Sequence, residues 1–159
     1  MLDQDILKGF KEESTSLLKE LLGIIEKIES TDQKSFPANL LTDFAQKIDR
    51  IMGAAKTICM EVPEHMGLQK IGKLAELCKI IGYQAAESKN TALLPIFTAF
   101  WADTIEVMES LLTAFENEQQ TAEITQSFSG ILQKRLEWLM TRVEQDSSHA
   151  TELLKKLGL

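Results

Sequence analysis

The sequence predicts an all-α protein, and three observations support this fold class. Its 159 residues include only 8 glycines and 3 prolines, so few positions break a helix. Apolar residues recur at spacings of three and four over five long segments, which is the period of an amphipathic helix. No segment has the alternating pattern of a half-buried strand. We expect one helical domain over residues 1–159, because this length fits a single domain.

Five helices are predicted from this periodicity. Their approximate bounds are Asp5 to Ile28, Ala38 to Met60, Glu64 to Glu87, Thr91 to Glu116 and Ala122 to Leu157. Asp5 is the expected N-cap of the first helix, and Asn90 or Thr91 that of the fourth. The fifth helix includes a polar stretch over 144–149, where a break near Ser147 is the alternative to one continuous helix. We predict the continuous helix.

Short connections between successive helices favour antiparallel neighbours. The predicted architecture is therefore an up-down antiparallel four-helix bundle over residues 5–116, with a long fifth C-terminal helix over 122–157. Polar turn residues and prolines place the turns between the helices, at 30–37, 63 and 88–91.

Charge and composition exclude several classes of function. The net charge of −7 argues against binding to nucleic acid or to an anionic membrane, which both require a basic surface. The acidic N-terminal residues do not resemble a signal peptide, and no run of 18 apolar residues predicts a membrane-spanning helix. Cys59 and Cys78 lie on apolar helix faces and are expected to be buried thiols, without a metal or a disulfide. A cytoplasmic location is the default for such a chain.

The second helix carries the most informative segment. Its buried stripe is predicted to contain Phe44, Ile48, Ile51, Ala55 and Ile58. The opposite face then presents Asp49, Gly53, Lys56 and Met60 to solvent. A glycine in an exposed helix interior costs about 1 kcal/mol relative to alanine, so its presence calls for an explanation.

This segment resembles the phosphorylation motif of histidine phosphotransfer (HPt) domains, which include the first domain of chemotaxis histidine kinases. That motif reads Arg-x-x-His-x-x-Lys-Gly, and the present chain has Arg50-Ile51-Met52-Gly53-Ala54-Ala55-Lys56-Thr57. Arg50 and Lys56 match, whereas Gly53 replaces the reactive histidine and Thr57 replaces the glycine. The acidic, leucine-rich first helix and residues 67–75 of the third helix are also similar to the family.

The resemblance implies an HPt-type helical bundle that can no longer transfer phosphate. In the family, the imidazole attacks a phosphoryl group and the nearby lysine supplies positive charge. Glycine has no nucleophile, so the chain is expected to be no enzyme and to need no cofactor. What the resemblance leaves is the helix face against which a receiver domain or a histidine kinase docks. The predicted partner-binding residues are Asp49, Arg50, Gly53, Lys56, Thr57 and Met60.

Two other functions are compatible with the sequence. A receiver-domain phosphatase would use a helix-borne Gln or Asn beside a carboxylate, for which Glu116 with Gln120, or Glu87 with Asn90, are the candidates. A structural helical adaptor would have no signalling role. His65, near the start of the third helix, is expected to be a surface or capping residue. Trp138, with leucines 153, 154 and 157, could supply a homodimer or partner surface on the C-terminal helix.

Overall fold

The computed structural model describes residues 3–31, 34–142 and 148–159, apart from the side chains of residues 148–151 and 153. Within these ranges the protein is all-helical and contains no strand, as the sequence predicts. It has six α-helices, with one short 3-10 turn (Thr91–Leu93) before the fourth. They are α1 (Gln4–Glu29), α2 (Ala38–Cys59), α3 (Met66–Ser88), α4 (Leu94–Thr113), α5 (Glu118–Arg142) and α6 (Ser148–Leu157).

The first four helices lie close to their predicted bounds, and their caps show why they begin where they do. Asp3, not the predicted Asp5, caps α1, because its side chain accepts a hydrogen bond from the backbone N–H of Asp5. Asn90 caps the 3-10 turn by accepting from the N–H of Ala92. Pro95 is tolerated in the first turn of α4, where the backbone N–H groups lack helical partners.

The prediction of one long fifth helix is wrong. The segment forms two helices, α5 and α6, and α6 packs back against α5. The chain end then meets α3, where the Nζ of Lys70 donates a hydrogen bond to the carbonyl of Gly158. The alternative, a break near Ser147, falls at a position outside the described residues.

The return of α6 also changes the expected role of the C-terminal leucines. Leu154 and Leu157 are buried within the chain itself, so they are not free to supply the homodimer or partner surface considered for them. The side chain of Leu153 lies outside the described residues. Trp138 does stay half exposed, as expected.

The helices pack in a closed order around one apolar core. Helix α1 contacts α2 and α4, and α3 contacts α2 and α4 as well. Helix α5 packs on α4 and α3. Trp101 lies at the centre of this core, where its ring stacks on Phe44 with the ring centroids 4.4 Å apart. A fully buried aromatic pair of this kind links α2 to α4.

Helices α2 and α3 run antiparallel and approach closely. Asp49 of α2 pairs with Lys79, and Lys56, two turns later, pairs with Glu76, which precedes Lys79 on α3. A Cβ atom on Gly72 of α3 would lie 3.6 Å from the Cβ of Ala55. These small residues allow the two helices to pack tightly, which fixes the orientation of the outer face of α2.

One stretch, Thr91–Thr113, is long and apolar enough to cross a membrane by length and composition, and half of it is buried. In this fold it is the central helix, with Phe97, Trp101 and Ile105 fully buried. The core helix of a helical protein has this composition for packing reasons alone. The predicted absence of membrane contact stays a prediction.

Candidate functional site

The candidate site is the solvent side of α2. Its inner side is the buried stripe that the sequence predicts, in which Ile48, Ile51 and Ala55 are almost completely inaccessible. With 3.6 residues per turn, the positions on the opposite side of the helix point outward. We call these exposed positions the α2 face, which consists of Asp49, Arg50, Gly53, Lys56, Thr57 and Met60.

Gly53 lies within α2 and faces open space. Among the described residues, no atom of another element lies within 4 Å of the position that a Cβ would occupy. The backbone is helical there, so the glycine is not required by a turn or by close packing. A side chain at this position would therefore start without a clash and project into solvent.

Three ion pairs tie the charged residues of the α2 face to the neighbouring helices. Arg50 Nη2 lies 2.5 Å from Glu13 Oε1 of α1. On the other side, Lys56 Nζ lies 3.0 Å from Glu76 Oε2, and Lys79 Nζ lies 2.8 Å from Asp49 Oδ1.

The hydrogen bond to Asp49 raises the pKa of Lys79 above its ordinary value. Each pair has at least one exposed partner, and surface pairs of this kind contribute about 0–1 kcal/mol each. A partner can therefore open them at little cost.

The C-terminal end of the face is apolar. Met60 follows the last residue of α2 and is 82% exposed. Thr57 separates it from Lys56 and is also exposed. A flexible, exposed methionine beside charged groups suits contact with another protein, because its thioether adapts to irregular surfaces.

A groove lies beside the α2 face and was not predicted from the sequence. It has a volume of about 590 Å³ and lies between the first half of α2 and the second half of α3. Its walls include Leu41, Ala45 and Gly82, and it ends at the Asp49–Lys79 pair. The sequence shows small residues on both helices, such as Ala45 and Gly82. They could predict a groove only once it is known that α2 and α3 pack against each other.

His65 has a structural role in this fold. It is the N-cap of α3, and its Nδ1 accepts a hydrogen bond from the backbone N–H of Leu68 at 3.2 Å. Its ring lies against Phe115, with the centroids 4.6 Å apart. The expectation of a capping histidine is therefore confirmed.

Neither pair considered for a phosphatase has its carboxylate and its amide on the same helix. Glu116 lies in the connection after α4, whereas Gln120 lies in the first turn of α5, so the two do not share a helix as their spacing suggested. The side chain of Asn90 is occupied as a cap. Neither candidate pair lies in an apolar pocket, since Glu87, Asn90, Glu116 and Gln120 are all exposed.

In the part of the chain that the structure describes, no three His, Cys, Asp or Glu side chains come together as metal ligands. Cys59 and Cys78 are free thiols. Burial raises the pKa of Cys78 to about 12, and burial also raises the pKa of Cys59, with a further contribution from Glu64. Both thiols are thus poor nucleophiles near neutral pH.

Comparisons with known proteins gave no match: no protein-family model, no curated protein and no solved structure resembles this chain at a significant level.

Proposed function

We propose that this protein is an HPt-like interaction module that lacks the phospho-accepting histidine. It binds a receiver domain or a histidine kinase of a two-component or chemotaxis-type pathway and transfers no phosphate. Within this proposal, α1–α4 form the up-down antiparallel four-helix bundle of the HPt type. The packing order of these helices and the antiparallel pairing of α2 with α3 support that assignment.

The observation that carries the proposal is the position of Gly53. It lies on the solvent side of α2, with Arg50 and Lys56 each about one turn away. This is the arrangement that the motif requires of a phosphorylated histidine and its basic neighbours. A residue in open space is also accessible to a docked partner.

The chemistry follows from what glycine lacks. Phosphotransfer needs a nitrogen lone pair that attacks phosphorus, and Gly53 offers none. Lys56 keeps its positive charge, and it can meet an acidic surface after its weak pair with Glu76 opens. The protein therefore binds a receiver domain or kinase without receiving its phosphoryl group. It competes with active phosphotransfer domains for the same docking surface of that partner.

A histidine introduced at position 53 tests whether this position corresponds to the phosphorylated histidine of the HPt motif and whether the bundle docks a receiver domain as HPt domains do. We expect Gly53→His to accept an acid-labile phosphoryl group from a phosphorylated receiver domain that binds the wild-type protein. The control is Thr42→His, which puts an imidazole on the exposed side of the same helix outside the α2 face. Labelling is measured with radioactive phosphate at neutral and acid pH.

Two results would contradict the proposal. Label on a histidine of the wild-type protein would show that the chain is itself a phosphotransfer domain. Failure of Gly53→His to accept phosphate from any receiver that binds would show that the α2 face is not aligned with the motif.

Docking itself is tested with a bulky residue at the same position. Gly53→Trp should fold normally, because the position is open, but it should block binding to a receiver panel in calorimetric titrations. Gly9→Trp is the matched control, since Gly9 of α1 is also exposed and also has no atom of another described element near its Cβ position. Equal loss of binding in both variants would count against the α2 face.

A further inference from the structure

The groove between α2 and α3 has the dimensions of a small-molecule site. Its volume of about 590 Å³ falls within the range of roughly 300–1,000 Å³ that is usual for such sites. It follows α2 from Ala38 to Asp49, a length of about 16 Å at the helical rise. We call this cavity the α2–α3 groove. Its shape suits an elongated molecule.

The walls of the α2–α3 groove are mainly apolar. Ala45 of α2 and Gly82 and Ala86 of α3 have small side chains or none, so the space between the two helices stays open. Phe36 and Leu41 line the groove towards the start of α2. These walls favour a hydrocarbon chain, because its burial removes apolar surface from water.

The groove lies next to the central tryptophan. A Cβ atom on Gly82 would lie 3.9 Å from Cζ2 of Trp101, whose side chain is completely buried. A molecule bound against Gly82 would therefore change the surroundings of the indole ring. The fluorescence of Trp101 provides a direct signal for occupancy of the groove.

The charges along the groove leave one cation unbalanced. Among the described residues that line it, the charged ones are Asp49, Lys79 and Lys89. Asp49 and Lys79 neutralise each other in their ion pair. Lys89 forms no ion pair within the described ranges, and Glu87 on the same helix does not line the groove. The groove thus keeps one free ammonium group, although the whole chain has a net charge of −7.

This ammonium group lies at one end of the groove, because α2 and α3 run antiparallel. Lys89 is the C-cap of α3 and lines the groove together with Ala38, the first residue of α2. The N-cap of α2 is Pro37, which makes no side-chain cap, and the first turn of α2 contains no acidic residue. The backbone N–H groups at a helix start favour negative charge. The lysine and the helix start therefore both attract an anion to the same end.

We infer that the α2–α3 groove binds a free medium-chain aliphatic carboxylate. The hydrocarbon chain lies against Ala45, Gly82 and Ala86, and the carboxylate meets Lys89 at the start of α2. The ligand and the groove then match in having an apolar body and one charged end. The inference goes beyond the proposed function and does not depend on it, because only Asp49 is common to the groove and the α2 face.

Titration of the full chain with decanoate tests the inference. Trp138→Phe removes the other tryptophan, so the emission of this variant reports on Trp101 alone. In this background we expect a saturable change in emission with decanoate below its micelle-forming concentration. Decanoate should bind about fivefold more tightly than protonated decylamine, which has the same chain and the opposite charge.

Two variants in the same background test the charged end and the walls. Lys89→Gln should remove the preference for decanoate over decylamine, whereas Lys19→Gln, at an exposed lysine of α1, should keep it. Ala86→Phe should weaken decanoate binding by at least about tenfold, because the ring takes up space in the groove. Its matched control is Ala99→Phe, at an exposed alanine of α4 outside the groove. Circular dichroism checks that all variants keep the native helix content.

Three results would each overturn the inference: no saturable response to decanoate, equal affinity for decanoate and decylamine, or unchanged affinity in Ala86→Phe. A fourth concerns the source of the hydrocarbon chain. Binding to phosphatidylglycerol vesicles that Ala86→Phe abolishes would assign the groove to a membrane surface instead of a free carboxylate.

Discussion

At the scale of single residues, Gly53 is the position where local stability and the proposed function conflict. A glycine in a helix interior leaves more backbone freedom in the unfolded chain and exposes the backbone to water. The fold does not require it, because the position is open. Replacing Gly53 with a better helix former should therefore increase the free energy of unfolding.

We expect Gly53→Ala to raise the free energy of unfolding by about 1 kcal/mol, because alanine is the better helix former and its methyl group meets no neighbour. Urea denaturation followed by circular dichroism measures the change. Gly67→Ala provides the contrast: a Cβ there would lie 3.3 Å from the carbonyl oxygen of Phe115, so this variant should not gain the same stability. A gain at position 67 equal to that at 53 would contradict the packing described for Gly67.

At the scale of elements, the start of α3 depends on one side chain. Pro63 and Glu64 are exposed residues of the turn between α2 and α3, and His65 then satisfies the N–H of Leu68. The same ring packs on Phe115, so it also links the start of α3 to the connection that follows α4.

Two substitutions separate these roles of His65. We expect His65→Asn to keep most of the cap and to lose the ring contact, whereas His65→Ala loses both. The alanine variant should be less stable than the asparagine variant by about 1 kcal/mol, the usual value of an N-cap. Thermal and urea unfolding of the two variants measure this difference, and equal stability would show that the cap contributes nothing.

Sequence patterns predicted most of these elements because helix formation is largely local. The stripe of α2 from Phe44 to Ala55 is buried as expected, since its spacing matches the helical period. Single caps were less predictable: Asp3 and Asp5 are both suitable N-cap residues, and the choice between them depends on where the first turn begins.

At the scale of the whole molecule, α6 folds back onto α5 and brings the C-terminal residues into contact with α3. Leu154 and Leu157 are buried, and Lys70 of α3 donates to the carbonyl of Gly158. Burial lowers the pKa of Lys70, and the nearby charge of Lys73 lowers it further. The C-terminal helix is therefore part of the packed body.

This packing makes a quantitative prediction for Leu157. We expect Leu157→Ala to reduce the free energy of unfolding by about 2 kcal/mol, near the lower end for buried leucines because the site is at the edge of the core. Lys156→Ala, at an exposed neighbouring position, should change it by less than about 0.5 kcal/mol. Chemical denaturation of both variants measures the effects. A neutral Leu157→Ala would mean that α6 does not pack against the rest of the protein in solution.

The sequence by itself determined the all-helical class, the approximate bounds of the first four helices and the outward position of Gly53. Each of these depends on the helical period and on local breaking signals, which neighbouring residues encode. Tertiary structure alone decided the pairing of Arg50 with Glu13 and of Lys56 with Glu76, the return of α6, and the exposure of Ile131. These features depend on which helix lies opposite which, and that is set by packing between residues far apart in the chain.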